Sequence, residues 1–239
     1  ADIYGPSIPM MFNVLHYKPL SRQINNKQHI VPASNYGVKI LSIGFFAELD
    51  QAVVWRGPMA VKALRQLIFD ADWGDLDYLI IDTPPGTGDV HLSIVQSLPL
   101  TGAVVVTTPQ SVALADAKKA IAMFKMENIN VPIIGLVENM SWFTPLKHPE
   151  EKYYIFGENG GEYLSKSLDI SLLGKIPIIQ SIRQSGDAGR PAVLQQETII
   201  EKYYDDFCEE LILNIDKRNT NIEKSKVVEV EYGEPKCSS

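Results

Sequence analysis

Apolar residues in this chain fall into short runs and stripes. Residues 78–81, Tyr-Leu-Ile-Ile, form a run that ends in Asp82. A run of that length bounded by turn residues reads as a buried parallel strand. Residues 38–44, rich in β-branched side chains, and the apolar runs 103–109, 132–140 and 172–177 predict four further strands. Between them the apolar spacing becomes helical. Val61, Leu64, Leu67 and Ile68 define one face, Ala113, Ala117, Ala120 and Phe124 a second, and Ile200, Tyr204, Phe207, Leu211 and Ile215 a third. A short helix is expected over 90–97 with Leu92, Ile94 and Val95 inward, and another from Gly160 through Leu168. Strands alternating with helices at this spacing predict right-handed crossovers. The expected fold is α/β, a doubly wound, mostly parallel sheet with helices on both faces.

The flanks look different. Residues 1–30 carry Pro6, Pro9, Pro19 and Asn25-Asn26-Lys27, and read as a loop followed by irregular structure. Residues 217–239 read as a charged tail beyond a single domain spanning 1–216. The 239 residues are 45% apolar, enough for one core around a sheet. A net charge of -7 and a pI near 5.2 argue against nucleic acid or an anionic membrane as partner. No apolar run reaches the roughly 18 residues of a spanning helix, and residues 1–7 lack the basic start and apolar core of a signal peptide. A cytoplasmic location is expected. Cys208 and Cys237 lie in unlike settings and suggest neither a disulfide framework nor a metal pair. Cys208 is expected to be buried on a helix, and Cys237 to be a tail thiol.

Chemistry concentrates in Asp82-Thr83-Pro84-Pro85-Gly86-Thr87-Gly88-Asp89. Two prolines fix the backbone and two glycines free it within a few residues. Ligands of open α/β sheets bind beyond strand carboxyl ends. Asp82 is the candidate Mg²⁺ ligand, directly or through water, and Gly86 the candidate sensor of a γ-phosphate. Asp2 is either an active-site carboxylate or a turn former. Trp55 and Arg56 suit either a protomer interface or a cover over the sheet edge. The chain opens in mid-pattern without a methionine, and is read as truncated.

Several separated stretches resemble one family in order. They are Asp2-Ile3-Tyr4-Gly5-Pro6-Ser7, Trp55-Arg56-Gly57-Pro58-Met59, the Asp82 to Asp89 segment, Thr107-Thr108-Pro109-Gln110, Glu138-Asn139-Met140-Ser141, Ile155-Phe156-Gly157 and Gly186-Asp187-Ala188-Gly189. This pattern resembles the Mrp/ApbC-like ATPases, of the deviant-Walker P-loop class that includes MinD and ParA. The resemblance implies a homodimeric ATPase using ATP and Mg²⁺ that carries a [4Fe-4S] cluster to iron-sulfur apo-proteins and works with assembly proteins. It assigns Asp2 to the attacking water or metal and Asp82 to the Walker B position. It assigns Gly86 to the γ-phosphate, Asn139 to the adenine, and Pro177 to a segment flanking the base.

Two parts of that pattern are missing. The glycine-rich phosphate loop with its lysines does not occur in the 239 residues, and is expected upstream of Ala1. The family's Cys-x-x-Cys after the Glu-Asn-Met-Ser stretch is replaced, with Pro145 and His148 at its cysteine positions. Two other readings stand beside the carrier: a positioning ATPase of the MinD/ParA kind, and a dimeric scaffold without turnover.

Overall fold

A computed structural model describes residues 1–2, 7–46, 57–145, 148 and 150–227. Its N-terminal part is built from local turns. After a short helix α1 (Ile8–Met11), strands β1 (Ser21–Ile24) and β2 (Lys27–Ile30) pair as an antiparallel hairpin. Asn25 and Asn26 join them, with φ of 49° and 63°. Two successive left-handed residues make a type I′ turn, whose twist matches that of paired strands. The device repeats at once. β3 (Ala33–Asn35) pairs with β4 (Val38–Ile40) across Tyr36 and Gly37, at φ 50° and 76°. Two expectations are corrected here. Residues 1–30 contain ordered elements, and of residues 38–44 only Val38–Ile40 is a strand, with a 3-10 turn at Ile43–Phe45. The Tyr36-Gly37 turn folds this segment back onto its neighbour instead of delivering it to the main sheet.

Helices α2 (Gly57–Phe69) and α3 (Asp89–Val95) precede that sheet. Its strands, β5 (Ala103–Thr107), β6 (Ile133–Phe143) and β7 (Leu172–Ile178), are parallel and lie in that order. The crossovers are α4 (Ser111–Phe124) and α5 (Gly160–Leu168); α6 (Gln180–Asp187) and α7 (Ile199–Asn221) follow β7. β6 is covered on both faces, because successive side chains of a strand point opposite ways. Leu136 packs with Ala117, Ile121 and Leu164 of α4 and α5, whereas Val137 packs with Leu173 and Ile176 against Phe207 and Leu211 of α7. The doubly wound α/β arrangement is therefore present.

The segment expected at the centre of the sheet behaves otherwise. Residues 78–82 join no ladder among the described residues. Ile80 is 87% exposed and Tyr78 60%; only Ile81 is drawn inward, onto a core of Ile43, Ala60, Leu64, Val90 and Ile94. β5 is likewise an edge, with Val104 and Val106 exposed. A parallel strand buries its apolar run only when flanked on both sides, and neither segment has two described neighbours.

The C-terminal helix also departs from expectation. α7 turns Tyr203, Phe207 and Leu211 to the sheet. Cys208, about 100° further round the helix, is exposed rather than buried. The helix runs to Asn221, and buried Arg218 donates hydrogen bonds to the Glu223 carbonyl (3.0 Å) and Ser225 Oγ (2.6 Å). Trp55, Arg56 and Cys237 lie outside the described residues. Among the described residues no helix is long and apolar enough to cross a membrane.

Candidate nucleotide and metal site

The predicted residues come together in two groups. The first surrounds Asp82. Ala1 packs on the same core as Ile81. Asp2 and Asp82 each follow one of these two packed positions, and Asp82 remains exposed. The chain continues through buried Pro84 to Gly86, whose φ of 95° lies where a side chain is strained. Nothing surrounds the position a Gly86 side chain would take, so the requirement there is conformational.

This loop leads into α3 through a feature the sequence reading missed. His91 is 5% exposed, and its Nδ1 is buried without a hydrogen-bond partner. Burial holds the imidazole below its ordinary pKa, against an opposing pull from the Gly88 and Pro84 carbonyls. The ring lines a cavity of about 130 Å³ with Ala60, Pro84, Pro85, Gly88 and Asp89. Its signal in the sequence is a lone polar residue among Val90, Ile94 and Val95, which all face inward.

The second group lies at the carboxyl rim of the sheet. Asn139 of β6 is in register with Ile176 of β7, next to buried Pro177. Asn139 Oδ1 accepts the Met140 N–H at 2.9 Å, and Met140 has a φ of 55°, uncommon for an unbranched long side chain. With the amide oxygen engaged, the Asn139 NH₂ is the end left to donate. Glu138, 1% exposed, sends Oε2 to the Gly161 N–H at 2.5 Å, in the first turn of α5. A carboxylate is favoured there by the unpaired amides and the helix dipole. Lys175 of β7 donates to Asn159 Oδ1 (2.8 Å) and Glu162 Oε2 (2.7 Å). Hydrogen bonds from Lys166, then Lys175, hold the Glu162 carboxyl at about 2. Neither Glu138 nor Lys175 stands out in the sequence as a site residue; an acid inside an apolar strand was the available signal.

Other separated motifs meet in pairs. Gly189, at φ 68°, lies so close to Asn13 and the Met10 carbonyl that a Cβ there would come within 2.8 Å of each. The Tyr36 hydroxyl donates to the Gly189 carbonyl at 3.0 Å, tying the second hairpin to the segment after α6. Phe143 and Tyr153 exchange two 2.8 Å backbone hydrogen bonds and close the loop that holds Pro145 and exposed His148.

A parallel sheet with an amide at its carboxyl rim, and an acid followed by a Pro-Gly loop ahead of its first strand, defines a nucleotide-binding α/β protein. The family model described as the NUBPL iron-transfer P-loop NTPase of the ParA group matches residues 1–212, and the chain belongs to that family. It is 45% identical over 222 residues to an iron-sulfur protein required for NADH dehydrogenase from Arabidopsis thaliana, covering 92% of this chain and 69% of that one. It is 43% identical over 234 residues to the iron-sulfur cluster transfer protein NUBPL of Dictyostelium discoideum, covering 95% and 71%. A nucleotide-binding protein from Archaeoglobus fulgidus, solved with ADP, matches with a TM-score of 0.69 at 31% identity, over 85% of this chain and 76% of that one.

Proposed function

We propose that this chain forms the metal-binding and base-binding body of an ATP-dependent iron-sulfur cluster carrier that delivers clusters to apo-proteins as a homodimer. The observation that supports the reading is the packing of Ala1 and Ile81, the residues before Asp2 and Asp82, on one core, in a chain of the iron-transfer family. Exposed oxygen donors suit Mg²⁺, which keeps several waters and takes only one or two protein carboxylates. Asp82 would hold the ion and Asp2 would orient the water beside it. When bound, Mg²⁺ supplies charge neutralisation to a phosphoryl group. Gly86 gives its loop the freedom to follow the terminal phosphate. The Asn139 amide donates to the base, and Pro177 offers an apolar surface near it.

The cluster is cargo in this scheme. Iron-sulfur clusters are held by several thiolates, and the described residues contain one free thiol, Cys208, whose pKa burial and Asp205 raise. That residue set does not fit a four-thiolate site, so transfer is inferred from the family and not from ligation. Anaerobic loading with iron and sulfide, followed by transfer to an apo-ferredoxin with and without Mg²⁺ and ATP, tests the proposal. Nucleotide-dependent activation of the acceptor is expected; failure to load or to activate it overturns the carrier reading.

A further inference from the structure

The loop closed by Phe143 and Tyr153 holds a second cluster of ligand atoms. His148 Nδ1 lies 3.7 Å from Glu150 Oε1 and 3.9 Å from Glu151 Oε1. One atom from each of the three residues falls within 4.8 Å of the others. We propose that His148, Glu150 and Glu151 form a mononuclear site for a divalent first-row transition ion such as Zn²⁺, Fe²⁺ or Co²⁺.

The spacing suits such an ion. Nitrogen and oxygen ligands sit at about 2.0–2.2 Å from Zn²⁺, which places neighbouring donors about 3–3.5 Å apart. The His148 distances exceed that range by a few tenths of an ångström, within the reach of a rotamer adjustment of exposed side chains. The donor chemistry selects the ion. Mg²⁺ and Ca²⁺ prefer oxygen alone, whereas an imidazole with carboxylates suits zinc and iron. An acidic pair without a nitrogen donor would make no such distinction.

The surroundings hold these donors in place. His148 N–H donates to the Pro145 carbonyl and Glu151 N–H to the His148 carbonyl, each at 3.1 Å. The Tyr153 hydroxyl donates to Glu151 Oε2 at 2.5 Å, which leaves Oε1 to face His148. Outer hydrogen bonds of this kind orient ligating carboxylates. The Lys152 ammonium sits over the Trp142 ring at 4.1 Å, and among the described residues the ion pairs of Glu150 and Glu151 are with His148 alone. A divalent ion would offset the two adjacent negative charges.

The inference does not depend on the proposed function: a protein that fails to transfer clusters could still bind a single ion here. The test is titration of the purified chain with Zn²⁺ in competition with a chromophoric chelator, and with Co²⁺ followed by visible absorption. One equivalent is expected, with d–d bands and without the charge-transfer band that thiolate ligation at Cys208 or Cys237 would give. His148→Ala and Glu151→Gln should each weaken Zn²⁺ binding at least tenfold, and Tyr153→Phe about tenfold, with unchanged circular dichroism. No binding, a thiolate band, or affinity unaltered in His148→Ala would each overturn the assignment.

Discussion

Glu138 links a strand end to a helix start through one buried oxygen. Its carboxylate receives the Gly161 amide in a place with almost no solvent. Glu138→Ala removes a charge-assisted bond and leaves a donor unmet, and should cost about 2–3 kcal/mol in urea unfolding. His91 has the opposite character: burial disfavours its charge. Its folded pKa is depressed, so the unfolded chain takes up the proton first as pH falls. The stability it contributes is complete above about 6.5, the ordinary imidazole pKa, and is lost as pH falls through the lower folded value. His91→Gln should remove that component from a stability profile recorded between pH 8 and 5; an identical profile would show that His91 does not titrate on unfolding. Asp82 and Gly86 stand out as candidates in the sequence because an acid and two glycines close to two prolines are rare in a plain connection. Glu138 and His91 do not, since their roles come from contacts with residues outside their own segments.

At the scale of elements, Gly135 of β6 marks a close approach between strands. A Cβ there would meet Leu173 side-chain atoms at 2.4 and 2.6 Å and the Ser171 carbonyl at 2.8 Å. Gly135→Ala should lower stability by about 1–3 kcal/mol, the usual cost of overpacking a core, read from the thermal midpoint. The β5, β6 and β7 assignments followed from short apolar runs, and α2, α4 and α7 from spacing. The two N-terminal hairpins were also legible in principle: Asn25-Asn26 and Tyr36-Gly37 carry residues that tolerate positive φ. Their prolines and polar flanks outweighed that signal. Residues 78–81 show the limit of apolar runs as evidence. The run identifies a segment suited to burial, but pairing depends on neighbours that its own sequence does not contain.

For the whole molecule, separate cores meet around shared residues. Leu100 packs both with the Asp82 side of the chain and with the Val95, Ile129 and Val131 cluster near β5. The fold can therefore tolerate loss of one exposed acid. Asp82→Asn should leave the melting transition unchanged while abolishing Mg²⁺-dependent nucleotide turnover by the protein. Turnover equal to that of the unaltered protein would exclude Asp82 as the metal ligand. Family membership was recoverable from motif order alone, even though the motifs are scattered from Asp2 to Gly189.

Strand β6 spans eleven residues and passes from Leu136 through Asn139 to Phe143. The partners of Asn139 and Phe143 on β7 are Ile176 and Ile178, so β6 carries two extra residues between them, and at about 3.3 Å per residue the two positions lie only about 7 Å apart along the neighbouring strand. Met140, held in the left-handed region, is the natural hinge of this beam. A small tilt of the rim where a base would rest need not cross any domain boundary to reach the Phe143–Tyr153 clasp; it travels down a single covalent lever, with Met140 setting how much of the motion arrives.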